Sequence, residues 1–336
     1  MFNYLKLWGG LLLYDLVRYE KALTSGDDSW QYLCNRKERL SIEPGGVVCN
    51  WWWSSHLHAV KFVPAWGRRL MARALNRYPI RMSDRPDGDA SKPLVSIIIG
   101  HRGKERLPLL LQTLRSFAGQ RGVAYECIVI EESLEKSIDS ELPDWVRFSH
   151  LPIDGAEQPY NRSKVFNMGA RLAKGELLIF HDNDMVVPDC YVHDNWVKYR
   201  EGFHVINLKR FIFYLTKEHV DEMVANQSIL VGNPDFVLQN LTSGGSLTVC
   251  KDSYESIGGV DEGFVGWGGE DVEFWDRAQT LNVCNTGYLP LLHLWHAPQS
   301  EKSEKKDSSA MQRLEEVSKI PVKERIRSLK NKYTST

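Results

Sequence analysis

Between residues 94 and 182 short apolar runs alternate with amphipathic stretches, and this alternation leaves few folds open. LVSIII (94–99) reads as a buried strand, RLPLLLQTLRSFA (106–118) has the apolar spacing of a helix, and YECIVIE (125–131) is a second strand. Asn161 to Ala173 reads as a further helix stopped by Lys174-Gly175, and ELLIFHD (176–182) as a strand that ends abruptly in charge. Strands separated by helices predict an α/β chain with a mainly parallel sheet covered by helices on both faces. Ligands of such sheets gather beyond the carboxyl ends of the strands, so functional residues are expected just after 99, 131 and 181.

The rest of the 336 residues divides by composition. The loop signal RPDGDASKP (85–93) separates a tryptophan-rich amino-terminal extension, 1–92, from a catalytic-type domain, 93–298. A charged, serine-rich tail, 299–336, reads as solvated helix or disorder. Six of the 11 tryptophans precede residue 67. The net charge of -1 is a cancellation: residues 86–300 carry 19 basic and 30 acidic side chains, while 61–85 and 301–336 are net basic. A chain without overall basic character is not expected to bind nucleic acid. Six scattered cysteines without a C-x-x-C pair fit a reducing, cytoplasmic setting. Met1 to Val17 lacks a basic start and a cleavage site, and its apolar run is short of the ~20 residues a spanning helix needs. An amphipathic core helix is preferred there over a membrane-surface element. Within 61–85, Trp66, Leu70, Met71, Ala74 and Leu75 share one helical face and Arg69, Arg73 and Arg77 another. Such a basic amphipathic helix suits peripheral contact with an anionic inner membrane face, the holding of an anionic ligand, or simple solvation.

Chemistry concentrates at the expected strand ends. Gly100 to Arg106 (GHRGKER) matches neither common phosphate-loop pattern, yet its glycines stand beside Arg102 and Lys104, cations able to meet a diphosphate. Glu131-Glu132 is either an acceptor for a uracil N–H or a solvent-facing strand end. In His181-Asp182-Asn183-Asp184 two carboxylates two residues apart follow an apolar strand, and either a divalent cation between them or water around both relieves their repulsion, the cation being the more economical reading. Residues 258–271, GGVDEGFVGWGGED, hold six glycines around Trp267, the composition of a lid that orders over a ligand or of a tight static loop. Glu270-Asp271 opens the next helix, predicted over 270–281, where the dipole favours acids. His293 and His296 supply imidazoles for a mixed nitrogen and oxygen site suited to Mn²⁺ or a similar ion.

Taken together these motifs resemble a GT-A-fold, nucleotide-sugar-dependent glycosyltransferase. The amino-terminal half is of the family 2 type, and the carboxy-terminal motif block resembles the β-1,4-galactosyltransferase family. Tyr160-Asn161-Arg162 is similar to that family's F-N-R, Phe180 to Asp184 to its F-H-D-V-D, and Trp267-Gly268-Gly269-Glu270-Asp271 matches its W-G-G-E-D. The resemblance covers about residues 94–298 and implies a Rossmann-like GT-A domain using Mn²⁺ (or Mg²⁺), a UDP-sugar donor, and a glycan or lipid-linked glycan acceptor. It implies Asp184 and His296 as metal ligands assisted by Asp182 or His293, and Arg102, Lys104 and Arg162 on the diphosphate. It also implies Glu131 or Glu132 on the base, Trp267 over donor and acceptor, Glu270 on acceptor hydroxyls, and Asp271 as the catalytic base of an inverting transfer. The donor pocket would include Gly100, Asn183, Thr242, Gly244 and Gly245, small Thr242 leaving room for an N-acetylhexosamine. Two departures stand out: Val272 replaces a third carboxylate, and Asn183 an apolar residue. A nucleotidyltransferase of similar fold, or a non-catalytic sugar-binding module, is the alternative.

Overall fold

A computed structural model describes residues 8–335 apart from 44, 52–53, 89–90 and 298–308. Trp52, Trp53, the centre of the 85–93 loop and the start of the tail therefore lie outside the described residues. The amino-terminal region comprises helix α1 (Leu16–Thr24), which continues a wider helical turn at Leu11–Asp15, and strands β1 (Leu40–Glu43), β2 (Gly46–Cys49) and β3 (Ser55–His56). Helices α2 (His58–Phe62) and α3 (Pro64–Arg77) follow. The middle region runs β4 (Val95–His101), α4 (Leu107–Ala118), β5 (Tyr125–Ser133), β6 (Val146–Pro152), α5 (Arg162–Leu172), β7 (Leu177–His181), β8 (Met185–Val186) and α6 (Tyr191–Arg200). It continues with β9 (Val205–Ile206), β10 (Lys209–Tyr214), α7 (Lys217–Asn226), β11 (Phe236–Gln239), β12 (Ser246–Cys250), α8 (Lys251–Ser256), α9 (Glu270–Ala278), β13 (Val283–Cys284) and β14 (Leu289–His293). Helices α10 (Ser309–Ser318) and α11 (Val322–Ser335) close the chain.

The central sheet has the order β13-β9-β12-β7-β4-β5-β6. Strands β7, β4, β5 and β6 are mutually parallel, and β12 is antiparallel to β7. This is the predicted α/β, mainly parallel arrangement. The alternation of side chains along β4 explains why both faces are covered. Ile97 and Ile99 pack with Leu110, Leu114 and Phe117 of α4, whereas Ile98 packs with Val165 and Ala170 of α5. All are fully buried, and each of the larger side chains contributes about 1.5–3 kcal/mol of transfer free energy. A second sheet, β3-β11-β10-β14-β8, stands beside the first and carries the carboxy-terminal histidines.

In the amino-terminal extension, β3 pairs with β11, and Trp30, Leu33, Leu57 and Leu70 share one apolar cluster with Phe211, Phe213, Val237 and Leu292. Buried Arg210 fastens the join by donating to the carbonyls of Gln31 and Leu33, each at 2.6 Å. Of the tail read as solvated helix or disorder, residues 309–335 are helical, and α10 and α11 are pinned to the domain by buried charge. Arg313 donates to Asp261, and Arg325 to Glu273 at 3.0 Å, where Arg277 also binds. The arginine row of α3 is engaged within the chain, Arg69 with Glu20 at 2.7 Å, Arg73 with the carbonyl of Asp27 at 2.7 Å and Arg77 with Asp28 at 3.5 Å.

Candidate active site

The carboxyl ends of β4 and β7, the start of α5, the 242–245 turn, the 266–271 loop and the end of β14 open on one cleft of about 2420 Å³. Gly100, the penultimate residue of β4, is glycine because a Cβ there would collide with the hydroxyl of Tyr160, which itself lines the cleft. Arg102 lies over the Tyr160 ring, 5.3 Å from its centroid, and Glu132 fixes its fork at 2.6 Å.

The turn after β7 is held from behind. His181 Nε2 bonds the carbonyl of Met185 at 3.0 Å and its Nδ1 meets Ser246 at 2.7 Å, so both ends of residues 182–184 are tied to the sheet. Burial pushes His181 down to about 4, and it is a neutral latch behind the cleft. Asn183 is buried against His101 Nδ1 at 2.9 Å. Asp184 faces His296 Nε2 at 3.3 Å and His293 Nε2 at 3.8 Å, with Tyr214 stacked on the His293 ring at 4.2 Å. Ligand atoms of Asp184, His293 and His296 lie within 4.8 Å of one another. Burial holds His296 below its ordinary range, which keeps its nitrogen free of a proton, and two imidazoles with one carboxylate fit a divalent ion such as Mn²⁺. Asp182 is outside this group: its carboxylate takes the Arg162 guanidinium at 2.5 Å, and its own N–H is donated to the Gly245 carbonyl.

Arg162 occupies the first turn of α5 and also donates to Glu270 at 3.2 Å. Glu270 is raised above the ordinary carboxylate range, by burial and then by neighbouring Asp271, with Arg162 opposing. Both Asp271 oxygens accept backbone N–H groups, from Gly244 at 2.9 Å and Val272 at 2.8 Å, so its carboxylate is oriented toward the 242–245 turn. Around Trp267, Gly266, Gly268 and Gly269 have φ of 83°, 96° and 92°, the left-handed region that glycine alone enters freely. The loop is anchored by Asn167 on the Val260 carbonyl and by Gly266 N–H on Tyr160. The helix that follows ends at Ala278 rather than residue 281.

Of the residues expected on sequence, Gly100, Arg102, Tyr160, Arg162, Asp182, Asn183, Asp184, Thr242, Gly244, Gly245, Trp267 through Asp271, His293 and His296 all border this cleft. Four do not. Lys104 points outward to Glu141 at 2.9 Å, because the short turn Lys104–Arg106 brings Arg106 inward instead. Glu131 is buried and accepts from Ser137 N–H, which closes its own loop. Glu132 positions Arg102, and Asn161 caps α5 through Lys164 N–H at 2.9 Å while its amide donates to the Glu262 carbonyl. Sequence reasoning missed Arg106, whose guanidinium lies 2.5 Å from Asp184. It also missed Trp51, Trp275 and Trp295 on the walls; only Trp295, between the two histidines, carried a signal.

Residues 234–290 match the family model described as the N-terminal domain of galactosyltransferase. The chain is 30% identical over 243 residues to the O-antigen biosynthesis protein RfbC of Myxococcus xanthus, covering 65% of this chain and 18% of that protein. It is 25% identical over 164 residues to chondroitin sulfate N-acetylgalactosaminyltransferase 1 of Homo sapiens, covering 47% and 30%. To β-1,4-galactosyltransferase 5 of Mus musculus it is 26% identical over 199 residues, covering 58% and 38%. The chain thus spans 18% to 38% of the length of these curated relatives. It is similar to glycosyltransferases of the GT-A type.

Proposed function

We propose that this chain is a metal-dependent inverting glycosyltransferase that moves a hexose or N-acetylhexosamine from a UDP-sugar to a hydroxyl of a glycan or lipid-linked glycan acceptor, in polysaccharide or glycoconjugate synthesis. The observation that carries the reading is the meeting, in one cleft, of Asp184, His293 and His296 with Arg162 and with the Trp267 to Asp271 loop. Asp184, His293 and His296 would hold the ion, which when bound supplies Lewis-acid stabilisation of the departing diphosphate. Arg102, Arg106 and Arg162 add fixed positive charge on the same side, the guanidinium fork matching phosphate oxygens.

The acceptor oxygen forms its bond to C1 of the donor as the C1–O bond to the diphosphate breaks, and the hydroxyl proton passes to Asp271. A carboxylate is too weak a base to ionise an alcohol beforehand, so proton transfer accompanies bond formation and contributes about 10²–10⁴ in rate. Glu270 holds acceptor hydroxyls, and Trp267 closes over the two sugars as the loop orders. Glu131, buried on its own loop, has no part in this scheme, and Glu132 acts through Arg102. The relatives' names specify galactosyl and N-acetylgalactosaminyl transfer, and small Thr242 on the cleft wall supports an N-acetylhexosamine here. All six cysteines are free thiols, which supports a cytoplasmic setting.

Asp271→Asn is expected to lower transfer by at least about 10²-fold while UDP binding, read by calorimetry, is retained. Undiminished turnover rejects Asp271 as the base. A donor screen with UDP-Gal, UDP-GalNAc, UDP-Glc and UDP-GlcNAc reads the sugar; reaction of the unsubstituted hexoses alone refutes the role given to Thr242.

A further inference from the structure

The helical segment at residues 8–24 turns one side inward and leaves an unusual side outward. Leu11, Asp15, Tyr19, Ala22 and Leu23 are buried, whereas Leu12, Leu13, Tyr14 and Val17 are 58%, 76%, 66% and 70% exposed, with Trp8 and Leu16 about 40% exposed. The outward apolar residues stop at Val17, and the partly or fully exposed positions that follow are Arg18, Glu20, Lys21 and Thr24, Glu20 being paired with Arg69. A contiguous exposed apolar patch of this kind marks an interaction surface.

We propose that this face lies in the interfacial region of an anionic lipid bilayer. Charge selects that occupant. Arg18 and Arg36 line a hollow beside Tyr14 and share a single buried carboxylate, Asp15, at 3.1 and 3.4 Å, which leaves the pair net positive. Lys21 adds a charge at one end, and Lys61 another at the opposite end, next to Phe62 on which the Trp8 ring packs at 5.6 Å. No acid is exposed between residues 8 and 17. An apolar strip with a cationic rim and two amphipathic aromatic rings matches acyl chains below anionic headgroups. The same rim repels a second copy of itself across a two-fold axis. Among the described residues no helix is long and apolar enough to cross a membrane. Membrane contact therefore belongs to residues 8–17 and not to the arginine row of α3, whose guanidinium groups are engaged within the chain.

The test is co-sedimentation of the full chain with vesicles of phosphatidylglycerol and phosphatidylcholine, compared with phosphatidylcholine alone. The chain is expected to pellet with the anionic vesicles and to be released by high salt. Leu13→Glu with Val17→Glu, two outward positions that leave the core untouched, is expected to weaken partitioning roughly 10-fold or more with an unchanged melting temperature. Arg73→Gln is expected to bind as the parent does. The proposal is overturned if the parent stays in the supernatant, if the double variant pellets undiminished, or if gel filtration shows a dimer that the double variant converts to monomer. UDP release with a soluble acceptor is independent of every one of these outcomes, so the membrane contact and the transferase reading stand or fall separately.

Discussion

Among the described residues Arg106 is the cation paired most closely with Asp184, and its Nε is buried with no hydrogen-bond partner among them. A guanidinium 2.5 Å from the carboxylate competes with a divalent ion for the same negative charge. Arg106→Gln is therefore expected to raise Mn²⁺ affinity without nucleotide by about 10-fold, a change of ~1.4 kcal/mol, and to weaken UDP binding in the presence of Mn²⁺. Calorimetric titration with each ligand measures both, and an unchanged Mn²⁺ affinity contradicts the competition. Arg102, Lys104 and Arg106 show why a site is only partly legible from sequence. The three cations alternate along one loop, and which of them faces the cleft is decided by a short turn whose direction composition does not specify. Asn161 was similarly ambiguous, since a side chain that caps a helix and one that meets a nucleotide are the same residue type at the same place.

At the scale of elements, β4 and β7 each end in a buried histidine, and the strands pair directly through Ile99 and His181. Burial lowers both His101 and His181 to about 4 from an ordinary 6.5. The unfolded chain takes up these protons near pH 6.5 and the folded chain only near 4, so the unfolded state binds more protons within that window. The stability contributed by the neutral rings is fully present above 6.5 and is lost as pH falls toward 4, a few kcal/mol in order of magnitude. Denaturant unfolding at pH 7 and 4.5 is expected to show that loss, and His181→Phe to shrink it; an identical pH dependence in the variant contradicts the assignment. Strands and helices of the central sheet were legible because their apolar periodicities differ, 2 against 3.6, and each run is bounded by charge or glycine. Helices α10 and α11 were not, because what holds them is buried charge, Arg313 on Asp261 and Arg325 on Glu273, and charged residues in a serine-rich stretch read as solvent-facing.

At the scale of the whole molecule, the amino-terminal segment, the two sheets and the carboxy-terminal helices share apolar clusters, so the cleft is bordered by residues from Cys49 to Arg325. The loop at 85–93 read as a boundary because Pro, Gly and Asp mark any exposed crossing, between domains or within one. The tryptophan excess also divides. Trp30 and Trp66 fill the core, Trp51 and Trp275 are buried in the cleft wall, and Trp267 and Trp295 face the cleft with part of their rings exposed, where flat apolar rings suit sugar faces. The acidic middle of the chain, flanked by net basic segments at 61–85 and 301–336, places Asp182, Asp184, Glu270 and Asp271 on that cleft, where the central claim is a metal-dependent transfer from a nucleotide sugar. The most direct measurement is UDP release from UDP-GalNAc and UDP-Gal with a glycan acceptor, with Mn²⁺ or with chelator, for the parent chain and for Asp184→Asn. The account predicts release that needs Mn²⁺ and falls at least about 10²-fold in the variant; release indifferent to chelator and to Asp184 would contradict it.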